Sequence, residues 1–455
     1  MIVPAWLGQL SRFFADKQQT LFVVGGALRD QLLDRPLTEW DLATAAKPEQ
    51  IENLLREFGC IRIGTIGARF GTVTAVFQGE TIEVTTFRGE TYQPSSRQPT
   101  VQFSKTIQED LSRRDFTINA MAYDLTKNQL LDPYDGQNDL EKKIIRAVGE
   151  ADERFSEDPL RMLRAIRFMS TLNFEIEPTT FEAISRQKER FAILSAERIA
   201  QELDKILLGE KPSRGWQAIV ETGLVNYVLP ELIPSIDLEF DARDHKDIYS
   251  HILQVLDQSP PKLALRWCAL LHDIAKPLTR KKIAGQYHFL GHENLGGRIA
   301  VTVLRRLKYP NDFVNYVAKL VRLHQRIPND DGQWTDGALR RFVRDAGETL
   351  SDLFDFAEAD STGKNELKLA KYRAGRQKLR DRITKLEAEA EIAKIKSPLS
   401  GEELMVIFKR PAGAWIRPIK EQLLAQVLDG QLKPDDKLGA EKIAREIVRS
   451  LNSKP

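Results

Sequence analysis

The stretch from Gly25 to Asp41, GGALRDQLLDRPLTEWD, constrains this chain more than any other. An apolar run, Leu21 to Val24, reads as a buried strand, and the glycine pair directly after it lets main-chain N–H groups approach a phosphate closely. A short helix follows, and then two acids, Glu39 and Asp41. Residues two apart on a strand point to the same face. Two acids facing a phosphate-binding turn meet the needs of Mg²⁺-dependent phosphoryl or nucleotidyl transfer, because hard cations take oxygen ligands and neutralise developing charge. Taken alone, the stretch also fits a glycine turn followed by solvated acids.

A chain of 455 residues, 42% of them hydrophobic, is long enough for two to four domains with cores of their own. The formal net charge is only +2, so any nucleic-acid-binding surface must be local. Cys60 and Cys268 are far apart in sequence and lack metal-ligand spacing, which reads as two buried free thiols in a reducing compartment. The first residues carry no basic segment followed by a long apolar core, and no apolar run approaches the roughly 18 residues of a spanning helix. The expectation is a soluble cytoplasmic protein with no membrane segment and no obligate protein partner.

Strands and helices mix up to about residue 130. A helix is expected over Pro48 to Phe58 and strands over Gly71 to Gln78 and Thr81 to Arg88, separated by Gly79-Glu80. Glu83, on the second of these strands, can bring a third acid to the face of Glu39 and Asp41. Gly89 to Pro99 is polar and without periodicity and reads as a mobile loop. Glu109 to Asp124 reads as one amphipathic helix with Arg113, Arg114 and Asp115 at its start. From about residue 137 the pattern is helical almost throughout.

A helix start is expected at SEDPLRMLRAIRF, with Ser156 as N-cap and Pro159 near the first turn. Asp158, Arg161, Arg164 and Arg167 recur at spacing three and form one ridge. Three arginines on a ridge repel one another unless an anion sits among them, so the ridge points to anion binding. Lys364 to Lys385 holds nine basic residues against Glu366 and Asp381, and Lys368, Lys371, Arg373, Arg376, Lys378 and Arg380 are candidates to follow RNA phosphates. Near the end, Ser400 reads as an N-cap and Gly413 as a turn before Trp415, with two amphipathic helices.

In this order GGALRD with Glu39-x-Asp41, GARFGTV, RRDFTINAMA, EDPLRMLRAIRF and LSAERIAQELDKILLG resemble the class II tRNA nucleotidyltransferases and bacterial poly(A) polymerases. The resemblance is dense over the first 210 residues and loose beyond. It implies an α+β chain: a small mixed-sheet nucleotidyltransferase head (1–136), a helical neck that recognises the base (137–210), a helical HD-like body (211–395) and a tRNA-binding helical tail (396–455). It further implies template-independent addition of CCA to the tRNA 3′ end from CTP and ATP with Mg²⁺. Glu39, Asp41 and Glu83 would be the catalytic acids, with Glu39 and Asp41 the Mg²⁺ ligands; Glu39 departs from the family's usual Asp, which leaves Asp41 with Glu83, and Glu39 peripheral, as the alternative. Gly25, Gly26 and Arg29 would meet the triphosphate. Arg114, Asp115 and Asn119 would hold ribose and phosphates. Asp158 and Arg161 would read the base, with Arg164 and Arg167 toward the phosphates. The loop at Gly89 to Pro99 matches a segment associated with the change from CTP to ATP use.

His251, the pair His272-Asp273, His292, His324 and Asp360 resemble the HD phosphohydrolase pattern, which implies either a second divalent metal, a transition metal or Mg²⁺, at His251, His272, Asp273 and Asp360, or structural remnants of such a site. Addition of A alone, poly(A) synthesis, mainly HD-type hydrolysis and RNA binding without catalysis are the alternatives. If Asp158 and Arg161 stand in for a template, Arg161→Ala should relax discrimination against UTP and GTP; single-nucleotide incorporation with an unchanged preference would argue against that role.

Overall fold

A computed structural model describes residues 3–37, 39–65, 67–93, 96–236, 247–327, 334–363, 365–389 and 396–452. The chain divides into two units, Met1–Asp237 with Val303–Tyr309, and Leu238–Thr302 with Pro310–Pro455. It is an α+β chain, a mixed sheet followed by helices.

The apolar run Leu21–Val24 is buried at every residue and forms β1. The other strands of the first unit are β2 (Glu39–Thr44), β3 (Ile61–Gly64), β4 (Thr72–Phe77), β5 (Glu80–Thr86), β6 (Arg88–Gln93), β7 (Ser96–Phe103), β8 (Ala122–Asp124) and β9 (Gln129–Leu131), besides a parallel pair of two-residue strands, Ile144–Ile145 and Glu175–Ile176. Seven of them make one sheet in the order β3-β4-β5-β2-β1-β8-β9. Neighbours are antiparallel except for β2 and β5, which run parallel with Asp41 opposite Glu83 and Trp40 opposite Ile82.

Alternation then sorts the two faces. Trp40 lies 6.4 Å from Trp6 of α1 (Ala5–Asp16), and both indoles donate to Glu80. Phe58, from the last turn of a helix over Pro48–Phe58, stacks on Phe77 and Phe13. This closes one face of the sheet. On the other face Ala43 packs with Phe22, Val24, Phe87, Ile107 and Leu111. Glu39 and Asp41 share Ala43's side of β2.

Three sequence expectations are corrected here. Gly89 to Pro99 is not an irregular loop: β6 and β7 pair antiparallel from Arg88↔Phe103 to Gln93↔Ser96. Thr91, Thr100 and Val101 favour strand, and Pro99 is tolerated because each strand of a two-stranded ribbon is an edge. Glu109 to Asp124 is not one helix. The helix Ile107–Ser112 ends there, Phe116 is extended (φ −132°), Thr117–Asn119 make a short 3-10 turn, and Ala122–Asp124 become β8 beside β1. Ser156 is not an N-cap, because it lies inside the helix Ala151–Glu157; the next helix, Leu160–Leu172, receives its cap from Asp158, whose carboxylate accepts from Leu160 N at 3.1 Å.

The second unit is almost wholly helical. The expected cap at Ser400 is present as a capping box with Glu403, and three helices follow it, Gly401–Phe408, Ile416–Leu428 and Lys437–Asn452, around a core of Leu404, Ile419 and Leu423. Both cysteines are buried free thiols. Among the described residues no helix is long and apolar enough to cross a membrane.

The helices Leu160–Leu172, Ala196–Leu207 and Pro212–Glu221 meet at Gly215. A Cβ there would lie 2.6 Å from Ile206 Cγ2 and 3.3 Å from Ser170 Cβ. Gly215→Ala should therefore lower the unfolding free energy by about 1–3 kcal/mol, read from urea denaturation; an unchanged midpoint would show that the helices yield without cost.

Candidate active site and candidate metal centre

The parallel pairing of β2 and β5 places Asp41 and Glu83 side by side, with Glu39 one pleat further along the same face. Burial raises the Glu83 carboxyl above its ordinary range, and the charges of Asp41 and Glu39 push it the same way. Burial also raises Asp41, against the pull of the Ala27 N–H and of Arg114 and Arg29. Carboxylates gathered in a partly desolvated place repel one another, and a divalent cation among them removes that cost. The donor set, all oxygen, suits a hard ion such as Mg²⁺. Glu39 is exposed, whereas Asp41 and Glu83 are partly buried.

Above these acids the main chain turns directly from β1 into the helix Gly25–Leu32. Asp41 Oδ2 accepts from Ala27 N at 3.1 Å, so the first turn of the helix is tied to the acidic strand. Gly25 has φ +63°, and a Cβ there would lie 2.8 Å from Arg114 Nη1. Glycine is required twice over: a side chain would be strained in the left-handed region, and it would displace the guanidinium that crosses the turn. Arg114 is itself held by Asp110 Oδ2 at 3.0 Å and Asn119 O at 3.3 Å. Asp110, which sequence reasoning missed, also pairs with Arg113 at 2.6 Å. Burial opposes the Asp110 charge, but Arg114 and Arg113 outweigh it and hold the carboxyl below its usual range.

Behind the turn runs a chain of polar contacts. Arg29 donates to both oxygens of Asp30 and to Asn119 Oδ1 at 2.9 Å, with its guanidinium 4.8 Å from the Phe168 ring centre. Asn119 Nδ2 donates to Asp115 Oδ1 at 2.9 Å, and Arg164 Nε to Asp115 Oδ2 at 2.7 Å. Arg29, Asp115 and Asn119 are all buried. The arginine ridge therefore has carboxylates of the protein itself as its anions: Arg161 pairs with Glu157 at 2.7 Å, Arg164 with Asp115 at 2.5 Å and Arg167 with Glu202 at 3.0 Å. Arg161 also donates to Arg113 O at 2.7 Å. Glu157 was readable at i,i+4 from Arg161; Glu202, 35 residues from Arg167, was not.

In the second unit, residues scattered over 110 positions converge. His251, His272 and Asp360 bring one donor atom each within 4.8 Å of one another, and so do Asp273, His292 and His324. Among the described residues these are the sets of three that do so. Every imidazole is oriented through Nδ1: His272 on Ala269 O (2.9 Å), His292 on Phe289 O (2.6 Å), His324 on Val321 O (2.6 Å) and His251 on Thr362 Oγ1 (3.1 Å). A carbonyl only accepts, so Nδ1 of the first three carries a proton and Nε2 points toward Asp273. Burial and the neighbouring His272 lower His324 to about 4, keeping it neutral. Burial opposes the charge of Asp360, yet His251 and His272 bring its carboxyl down to about 2. Asp273 Oδ1 and His292 Nε2 are buried without a hydrogen-bond partner. Imidazoles with carboxylates, two of the atoms unsatisfied, fit a divalent transition metal.

The basic run forms the helix Glu366–Glu389. Lys368, Lys371 and Lys378 are exposed on it, and Lys364 lies outside the described residues. Arg373 is exposed but pairs with Glu358, and Arg380 pairs with Asp355 at 3.1 Å. Arg376 is corrected as a phosphate contact: it is 4% exposed and donates to Ala357 O, Ser361 Oγ and Glu358. A cavity of about 770 Å³ lined by Arg344, Lys396, Arg417 and Lys420, among others, lies in the second unit and includes none of the acids and imidazoles above.

Profiles for three families match the chain: the Poly A polymerase head domain over residues 21–146, the probable RNA and SrmB-binding site of polymerase A over 173–236, and the HD domain over 243–386. A CCA-adding enzyme of Lactobacillus johnsonii is 46% identical over 204 residues, 45% of this chain and 50% of that one. One of Bacillus licheniformis is 32% identical over 413 residues, 90% of each. The fold is shared with the crystal structure of the Bacillus stearothermophilus CCA-adding enzyme in complex with CTP, at a TM-score of 0.71 and 27% identity over 99% of this chain and 100% of that one.

The Asp115–Arg164 pair yields a measurable expectation. Burial opposes the Asp115 charge, and Arg164, Asn119 and Arg161 outweigh it, so the folded carboxyl sits well below its usual range. Such a group stabilises the fold above its unfolded pKa of about 3.9 and loses that contribution as pH falls toward the folded value. Asp115→Asn should cost roughly 1–3 kcal/mol at neutral pH, with the gap to the parent shrinking in acid. A gap that is constant with pH in urea denaturation would overturn this assignment.

Proposed function

We propose a reaction for this chain from one premise: it belongs to the CCA-adding enzyme family. It adds CCA to the 3′ end of tRNA from CTP and ATP, without a nucleic-acid template. The observation that carries the reading is the in-register pair of Asp41 and Glu83 beneath the first turn of the helix Gly25–Leu32.

Asp41 and Glu83 hold Mg²⁺, with Glu39 reaching in from the exposed edge of the same face. The extra methylene of Glu39 places its oxygen farther from the strand than Asp would, so Glu39 would reach an ion held by Asp41 and Glu83 only with an adjusted side chain. An ion held by these residues would supply charge neutralisation on the triphosphate and a lowered pKa of the attacking hydroxyl. The N–H groups of the Gly25–Gly26 turn and the Arg114 guanidinium face the phosphates. Arg29, Asn119 and Asp115 act behind them as positioning residues. The tRNA 3′-oxygen attacks the α-phosphorus in line and pyrophosphate leaves.

Base choice falls to Asp158 and Arg161 at the start of the helix Leu160–Leu172. An Asp acceptor beside an Arg donor matches the amino group and ring nitrogen shared by C and A. G and U present a carbonyl where that amino group would be, leaving buried polar groups unpaired at roughly 1–3 kcal/mol each. Arg164 and Arg167 are placed beyond this pair by their own carboxylates. Lys368, Lys371 and Lys378, with Arg373 beside them, offer a phosphate-facing stripe for tRNA whose binding weakens with salt. The cluster of His251, His272, Asp273 and Asp360 holds a second divalent ion, of transition type.

Transcripts of tRNA ending before CCA, after C and after CC, each given labelled CTP or ATP with Mg²⁺, test the reading. Two C additions, one A addition and a stop are expected. ATP use on the CC-ending transcript alone would replace this function by A addition, and long A tails on unrelated RNA by poly(A) synthesis. Asp41→Ala should abolish incorporation while tRNA affinity stays nearly unchanged; retained incorporation would remove Asp41 from the metal site.

A further inference from the structure

We infer that Asp110 is a positioning residue whose one carboxylate sets two guanidinium groups, that of Arg114 at the phosphate-facing turn and, through Arg113, that of Arg161 at the base. Asp110 acts in the proposed transfer reaction, on which this role rests, and it touches no substrate. It lies on the short helix Ile107–Ser112, and its side chain is buried. A carboxylate in such a place is kept charged only by what it pairs with. Its partners belong to three different parts of the head.

The two oxygens divide these partners. Oδ2 accepts from Arg114 Nη2 at 3.0 Å. The other terminal nitrogen of Arg114, Nη1, donates to Asn119 O at 3.3 Å and lies 2.8 Å from the point that a Gly25 Cβ would occupy. A guanidinium is planar, so holding one nitrogen on a carboxylate and another on a carbonyl fixes the plane of the group across the turn. Oδ1 accepts from Arg113 Nε at 3.1 Å and from Arg113 Nη2 at 2.6 Å. The Arg113 side chain is thereby folded back onto its own helix. Oδ1 also accepts from Arg88 N at 3.4 Å, so the first residue of β6 bears on the same group.

The second arm runs through the main chain. Arg113 is the C-cap of the helix, and the last carbonyls of a helix lack partners within it. Arg161 Nη2 takes the Arg113 carbonyl at 2.7 Å, and Arg154 Nη1 takes the Ser112 carbonyl beside it at 3.2 Å. Arg161 Nη1 goes to neighbours in its own segment, Arg154 O at 3.2 Å and Glu157 at 2.7 Å. Those contacts orient Arg161 within the neck, whereas the Arg113 carbonyl ties it to the head. Clamping the Arg113 side chain on Asp110 holds that carbonyl in place. One carboxylate thus sets the distance between the phosphate-facing arginine and the base-facing one.

Single-nucleotide incorporation on tRNA transcripts ending before CCA, with CTP or UTP varied at fixed Mg²⁺, tests this role. A parent protein that incorporates neither nucleotide would overturn the transfer reaction and this role with it; every other outcome bears on Asp110 alone. Asp110→Ala releases both arms: KM for CTP should rise about ten-fold, and the CTP-to-UTP ratio of kcat/KM should fall about ten-fold. Arg113→Met releases the base arm alone, so the ratio should fall while KM for CTP stays within roughly two-fold of the parent. A merely structural role lowers the amount of folded protein, which reduces kcat equally for both nucleotides and leaves KM and the ratio unchanged. That pattern in Asp110→Ala would overturn the proposal. If Asp110→Ala does not fold, Arg113→Met decides, and an unchanged ratio there would overturn it.

Discussion

The ion pair between Asp115 and Arg164 is the contact on which the geometry of the head depends. Asp115 follows a helix that ends at Ser112, and Arg164 sits on a helix reached only after residue 160. Through Asn119 and Arg29 the same carboxylate is connected to the helix Gly25–Leu32. Four side chains thus link the phosphate-facing turn to the helix proposed to read the base. Such a network holds its members in register because Arg29, Asn119 and Asp115 are buried and each hydrogen bond is charge-assisted. The turn and the base-reading residues accordingly move as one body or not at all.

The two chemistries of the chain use different means of preparing for a cation. In the head, three carboxylates are left in mutual repulsion on one sheet face, a repulsion that a cation would relieve. In the helical unit the carboxylates are outnumbered by imidazoles, each oriented by a partner at Nδ1. There the preparation is directional, and little reorganisation is needed when an ion enters. A hard, exchangeable ion suits the first and a more tightly held transition metal the second.

Much of the head was legible in the sequence because its signals are local. Leu21 to Val24, the glycine pair, Glu39 and Asp41 were read correctly as strand, turn and second strand, and Glu83 was placed on the right face by alternation alone. The helix over Pro48 to Phe58 was readable from its period and its proline at the start. Failures came where tertiary contacts overrode local pattern. Ala122 to Asp124 continues an apolar periodicity that suits a helix, yet β1 needs a second neighbour and takes it from there. The arginine ridge was read as an anion site, whereas in the structure protein carboxylates pair with it, and the sequence could not say that Asp115 and Glu202 reach it from 49 and 35 residues away. The basic helix was visible as charge density, whereas the burial of Arg376 depends on the neighbouring helix Leu350–Ala359.

The parallel pairing of β2 with β5 has a consequence for how the protein comes into being. A parallel pair cannot be closed by a tight turn, and here the chain travels from Thr44 through a helix and two strands before Glu80 returns to the register of β2. The acidic face does not exist in any shorter fragment. Closing that excursion carries loop entropy that is recovered only once the pairing forms. On the ribosome, the acidic face must therefore wait for β5, so the proposed metal site is incomplete until that sheet has closed.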